Sequence, residues 1–339
     1  MKTVKTTEAV GLILCHDMTQ IIKDEFKGPR FKKGHIVREE DIPVLQSMGK
    51  ETLYVWEDDP HVIHENEGVE VLYHYCSGQN CVPSEIKEGK VECLAACDGL
   101  LKIDTKRLNA INALEDIIIA TRHGNTVVKK GDKLAGIRVV PLAIQQARLE
   151  AAKVILENGP IIEIMPLQKK KIAIINTGNE IYHGIIKDTF GPVVIQKFND
   201  YDCEIIKQVM LPDDTEMIAA EIGELLVQGA EIVVCTGGMS VDPDDTTPAA
   251  IRAASDEVIA YGAPVLPGAM FMLAYQNNRA IMGLPGCVMY AGRTIFDLVL
   301  PRVLAGERLS KRDLVMLGEG GFCLNCEVCS FPNCGFGSH

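Results

Sequence analysis

The sequence has no excess of basic residues, no long apolar run and no nucleotide-binding P-loop. Lys and Arg total 34 against 46 Asp and Glu, a formal net charge of −12. Phosphate backbones bind to basic surfaces, so nucleic acid is not expected as a partner. An anionic small ligand stays compatible with this charge, because backbone N–H groups and a bridging metal can hold phosphate. No stretch reaches the roughly 18 apolar residues of a spanning helix. The nearest, residues 294–305, is broken by Asp297, Pro301 and Arg302, so no membrane partner is expected. Met1-Lys2-Thr3-Val4-Lys5 does not read as the start of a signal peptide, and a cytoplasmic location is expected. There the 12 cysteines read as thiols or metal ligands more readily than as disulfides. Neither G-x-x-x-x-G-K-[ST] nor a Ser-His-Asp arrangement emerges, which leaves a P-loop NTPase and a hydrolase triad unsupported. Internal repeats and low-complexity segments are missing too.

What is present is an ordinary globular composition, 47% hydrophobic and 24% charged. At 339 residues it is long enough for two or three domains. Residues 1–60 read as an N-terminal α/β segment, with a strand-like start at 9–14, a short helix near Asp41–Leu45 and a strand at 52–56. Residues 61–165 read as a β-rich domain, irregular over 61–90, with strands at 100–103, 117–121 and 126–128 and a closing helix at 145–157. Its His61, His64, His74, Cys76 and Cys81 fit no metal template and read as a solvated loop, whereas Cys93 and Cys97 read as core. Cys203 and Cys235, on or beside strands, read as core as well.

From 166 to 316 the pattern becomes regular. Apolar strands at 172–175, 204–211, 231–235 and 280–282 alternate with helices near 191–201, 213–228 and 294–305. Such alternation predicts an α/β fold, a three-layer, mostly parallel sheet built by right-handed crossovers. Three of the strands run into glycine-bearing loops: Thr177-Gly178, Thr236-Gly237-Gly238 and Gly283-Leu284-Pro285-Gly286. Parallel strands present their carboxyl ends on one edge, where ligands of open α/β sheets bind. Carboxylates accompany the glycines: Glu180, Asp188, then Asp242, Asp244 and Asp245 ahead of Thr246-Thr247-Pro248. Either Asp245 caps a helix there or the set holds magnesium, which needs one or two carboxylates besides ligand phosphates.

Thr177-Gly178-Asn179-Glu180, Gly184 through Asp188, Thr236-Gly237-Gly238-Met239-Ser240-Val241 with Asp245 and Thr247, and Gly283-Leu284-Pro285-Gly286 together resemble the molybdopterin-binding domain. More narrowly, residues 168–308 resemble the molybdopterin molybdotransferase family of molybdenum cofactor biosynthesis. Lys33-Gly34, Asp41, Leu45 and Gly49 faintly resemble that family's preceding segment. The resemblance implies insertion of molybdate into adenylated molybdopterin, with magnesium-assisted release of AMP, by a homodimer. It implies Glu180, Asp188 and Asp245 as catalytic carboxylates, Glu180 and Asp245 also as magnesium ligands. Thr177, Gly178, Thr236, Gly237, Gly238, Ser240, Pro285 and Gly286 would line the pterin and phosphate pocket. The chain departs from the family pattern at four places. Asn179 replaces an Asp, Pro267-Gly268-Ala269-Met270 replaces Pro-Gly-Lys-Pro, and Cys287-Val288 replaces Asn-Pro. The Ser-Ala-Met-Asp-Gly-Tyr-Ala signature is missing. The alternative function is therefore a non-catalytic carrier of molybdenum cofactor, or a maturation factor for a client molybdoenzyme.

Residues 317–339 form a distinct tail with Cys323, Cys326, Cys329 and Cys334. Four thiolates at such short gaps suit zinc or an iron–sulfur cluster. The run resembles a ferredoxin spacing with one extra residue before its last cysteine. Too few aliphatic residues lie here for a separate core, so order is expected only with metal, independently of the main site.

Overall fold

Isoleucine and valine at alternate positions face opposite ways in a strand, and two strands of this chain use both faces. In the computed structural model, which describes residues 2–22, 25–55, 59–242 and 245–338, these are β1 (Lys171–Thr177) and β3 (Ile232–Thr236). They pair in parallel, Ile174 opposite Val234. On one face Ile172, Ile174, Ile232 and Val234 pack with Val194 and Phe198 of α2 (Phe190–Asn199) and Phe296, Val299 and Val303 of α5 (Ile295–Leu304). On the other, Ala173, Ile175, Val233 and Cys235 meet Ile218, Ile222 and Leu225 of α3 (Thr215–Val227) and Ile251 of α4 (Thr247–Ala253). Between β1 and α2 lies a single helical turn, α1 (Asn179–Tyr182). Helices thus cover both faces of an α/β sheet.

The sheet runs in the order β2-β1-β3-β6-β5-β4, where β2 is Glu204–Leu211, β4 Glu257–Tyr261, β5 Met272–Gln276 and β6 Arg279–Leu284. The first four are mutually parallel, and β5 and β4 add an antiparallel edge. That edge was not anticipated from the sequence. Met272–Gln276 and Arg279–Leu284 are joined by a tight turn with Asn277 at φ 55°, whereas the sequence shows only a strand at 280–282 entering a glycine loop.

The chain divides into two units: Met1–Cys97, Ile103–Arg122 and Lys130–Ile164 form one, and Asp98–Lys102, His123–Lys129 and Met165–His339 the other. The first contains an antiparallel sheet of strands 81–83, 90–95, 133–139 and 117–121. Two expectations fail in it. Residues 9–14 form no strand; Gly11 turns at φ 82°, Ala9 is buried, and the first strand is Lys2–Lys5, paired with Thr52–Val55. Residues 61–90 are not irregular, since Glu65–Cys76 is a helix of 12 residues. Its buried face is Gly68, Val69, Leu72 and Cys76, where a Cβ on Gly68 would lie 2.9 Å from Ile144. Glycine and cysteine at core positions hid the helical period. His64 and Cys76, read as loop residues, are buried. Cys93 is buried as expected, whereas Cys97 is only half-buried and outside any strand. Trp56 and Asp244 lie outside the described residues.

After α5 the chain folds against the second unit's core. Arg302, 7% exposed, donates to Glu307 at 2.6 Å and Asp313 at 2.7 Å. Burial alone would raise the Asp313 carboxyl, but its bonds with Ser310 and Arg302 outweigh that and bring it from the usual 3.8 to about 2. A lowered folded-state value contributes stability above the unfolded value, lost as pH falls through about 2. Asp313→Asn is therefore expected to cost roughly 1 kcal/mol near neutrality, after allowance for solvent screening. The gap between wild type and variant should close between pH 4 and pH 2 in denaturant titrations. A gap independent of pH would show that Arg302 does not hold this carboxylate.

Candidate ligand site

Parallel pairing puts the carboxyl ends of β3 and β6 side by side, Thr236 opposite Leu284. The loops leaving them, with the segment 266–270, enclose a cavity of about 690 Å³. Gly237, Gly238, Ser240, Asp242, Asp245, Pro285 and Gly286 all line it. The turn after β3 needs its glycines. Gly237 and Gly238 have φ of 89° and 52°, and a Cβ on Gly237 would sit 2.1 Å from the carbonyl oxygen of Thr177. Tyr261 fixes the far side of the turn, its hydroxyl donating to the carbonyls of Met239 at 2.9 Å and Ser240 at 3.0 Å.

Thr177 and Thr236 lie beneath the cavity and not on its wall. Both are buried, and Thr177 Oγ1 shares a hydrogen bond with Thr247 Oγ1 at 3.0 Å. Thr236 Oγ1 accepts from Asn176 Nδ2 at 2.9 Å. They support the glycine turn from below. Gly178 and Glu180 also stand off the wall, Glu180 exposed on α1. Asp188 has a different task. Its carboxylate accepts from the backbone N–H groups of Phe190 at 2.9 Å and Gly191 at 3.0 Å, opening α2, and from Gln208 at 3.0 Å. Asn179, in place of the family's Asp, exchanges hydrogen bonds with Asp213: the Asn179 N–H donates at 3.0 Å, and the Asp213 N–H donates to Asn179 Oδ1 at 3.3 Å.

Asp245 is not spent as a helix cap. Thr246 is the N-cap of α4 without a side-chain cap bond, and Asp245 Oδ2 accepts instead from the Asp242 N–H at 3.3 Å. Burial, with the Asp245 charge second, raises the Tyr261 phenol, so that hydroxyl stays a donor at neutral pH. Among the described residues, Asp242 and Asp245 are the charged residues of the wall, and no Lys or Arg lines it. Sequence reasoning missed the segment Leu266–Met270 and Cys287 as wall residues. The signal was there, since Ala269, Met270 and Cys287 are the very positions that depart from the family pattern. Burial raises the Cys287 thiol, which keeps it neutral.

Residues 173–305 match the family described as a "Probable molybdopterin binding domain". The domain is thus of the kind that its glycine loops resemble. Residues 3–57 match a domain of unknown function. The molybdopterin molybdenumtransferase of Synechococcus elongatus is 25% identical over 175 residues, 49% of this chain and 40% of its own length. That of Staphylococcus aureus is 24% identical over 173 residues, 49% of this chain and 38% of its own. A CinA-like protein of Thermosipho melanesiensis is 35% identical over 82 residues, 24% of this chain and 20% of its own. The chain therefore spans well under half of these relatives. Among solved structures, the molybdopterin biosynthesis enzyme MoaB of Thermus thermophilus is 18% identical, covering 41% of this chain and 98% of its own with a TM-score of 0.36.

Magnesium fits the wall. The described residues hold no group of three or more His, Cys, Asp or Glu placed to cage an ion. Magnesium requires none, because it keeps its waters and takes one or two carboxylates together with phosphate oxygens. Asp242 and Asp245 meet that requirement. Among the described residues no helix is long and apolar enough to cross a membrane.

Proposed function

We propose that the cavity at the ends of β3 and β6 binds a molybdopterin-type ligand in molybdenum cofactor biosynthesis, its phosphate held through magnesium on Asp242 and Asp245. The observation that carries this reading is a wall whose described residues offer two carboxylates, glycine-rich turns and no cation. Gly237, Gly238 and Gly286 let an extended ligand lie against the backbone. A phosphate can approach two carboxylates only with a divalent ion between them, which would also favour AMP as a leaving group.

Insertion of molybdate into adenylated molybdopterin is the activity this arrangement serves, in keeping with the similarity to molybdenumtransferases. Glu180 would reach the ligand from α1, and Asp188 would act by placing α2. Cytosolic location, a homodimer and a client molybdoenzyme belong to the same proposal. A second reading, carriage without turnover, has one observation in its favour: Ala269, Met270 and Cys287 give the wall an uncharged patch where the family pattern has Lys, Pro and Asn. Incubation with adenylated molybdopterin, molybdate and magnesium separates the two. AMP release requiring all three components is the expected result. Tight binding without AMP would establish the carrier, and no binding would refute both.

A further inference from the structure

Cys323, Cys326, Cys329 and Cys334 lie beyond the matched segment 173–305. All four line a single cavity of about 600 Å³. The tail that carries them is held in place by the α/β unit, contrary to the expectation of a segment ordered by metal alone. The Cys323 N–H donates to the Leu266 carbonyl at 2.8 Å, and the Leu266 N–H to Gly321 at 2.8 Å. Beyond the last cysteine, Phe336 enters the main core at 6% exposure, and the Gly337 N–H donates to Gly320 at 2.9 Å. That bond clasps the two ends of the cysteine loop. A Cβ on Gly337 would lie 2.4 Å from Leu298, and one on Gly320 would lie 2.2 Å from the Ser338 carbonyl, so the clasp is closely packed.

Within the clasp the cysteines divide into two kinds. Cys323 and Cys334 are half-buried against the core, whereas Cys326 and Cys329 are exposed. Every cysteine is a free thiol. The Arg293 guanidinium is tied to Asp297 at 2.9 Å and lies 5.0 Å over the Phe331 ring.

We propose that this cavity binds a polynuclear iron–sulfur cluster through Cys323, Cys326, Cys329 and Cys334. A single zinc ion with bonds of about 2.3 Å would draw its four sulfurs to within about 3.8 Å of one another. All four cysteines instead line one space of about 600 Å³, far wider than a single ion. A cluster is a body of several atoms and spreads its thiolates around itself, which suits four sulfurs on the walls of a cavity. Pro267 and Tyr290 line both this cavity and the ligand cavity. The cluster therefore stands one wall from that site.

The test uses the full chain purified without oxygen and analysed for iron, acid-labile sulfide and zinc. Iron and sulfide in equal amounts are expected, with a visible absorption that bleaches on reduction. Cys326→Ser and Cys329→Ser, both at exposed positions, should each lower bound iron at least about tenfold, since a cubane is held by all four thiolates. Cys97→Ser, in the other unit, should keep the wild-type iron content and controls for handling. Stoichiometric zinc without sulfide would overturn the cluster. So would protein that stays metal-free after anaerobic incubation with ferrous iron and sulfide, or iron retained by both serine variants.

Discussion

Asp245→Asn is expected to weaken the magnesium-dependent part of ligand binding by roughly 100-fold, about 2.7 kcal/mol, while the fold stays intact. Asparagine removes the charge that a divalent ion requires. It keeps an oxygen to accept from the Asp242 N–H, the one side-chain hydrogen bond of this carboxylate among the described residues. Since Thr246 and not Asp245 occupies the N-cap of α4, no helix cap is lost. Calorimetric titration with adenylated molybdopterin, with and without magnesium, measures the effect. Wild type should bind much more tightly with the ion, and the variant should show little difference between the two conditions. A variant with undiminished magnesium dependence would remove Asp245 from the metal site and leave Asp242 alone, too exposed to hold an ion by itself.

The same residue shows what the sequence could and could not convey. That Asp245 belongs with Gly237 and Gly238 was legible, because a strand of buried apolar residues followed by glycine fixes both the sheet edge and the turn. β1 and β3 were equally legible, since uninterrupted Ile and Val runs of that length are what buried parallel strands require. Which carboxylate faces the cavity was not. Asp188 and Asp245 both follow a glycine loop, but Asp188 is consumed by two N–H groups of α2 and by Gln208, contacts set by packing between distant segments. Thr177 misled for a similar reason. It belongs to the glycine-loop motif, yet its place is to fill the space under Gly237. The wall formed by Leu266–Met270 was marked in the sequence only as a departure from the family pattern; it lies in the connection between β4 and β5, and its place beside the ends of β3 and β6 is set by the sheet order. The tail failed differently: its own composition holds no core, but Phe336 borrows that of the α/β unit.

Gly237→Ala is expected to be the most damaging of the single substitutions, lowering stability by about 3 kcal/mol and abolishing ligand binding. Two costs add. Alanine at φ 89° leaves the region open to L-residues, and its Cβ would stand 2.1 Å from the Thr177 carbonyl oxygen and 2.9 Å from Thr177 Oγ1. Thr177 cannot yield. It ends a central strand paired on both sides, and its hydroxyl is engaged with Thr247 Oγ1 at 3.0 Å. The loop must lift instead, which disturbs Met239 and Ser240 where Tyr261 holds them, and with them the wall that includes Asp245. Gly286→Ala supplies the contrast. It also lines the cavity, but a Cβ there meets no atom within 4 Å and its φ is not positive. Its stability should change by less than about 0.5 kcal/mol, as for an unconstrained position. Thermal unfolding of both variants beside wild type decides the matter. Equal, small shifts would mean that the turn after β3 can relax and that glycine is not needed there.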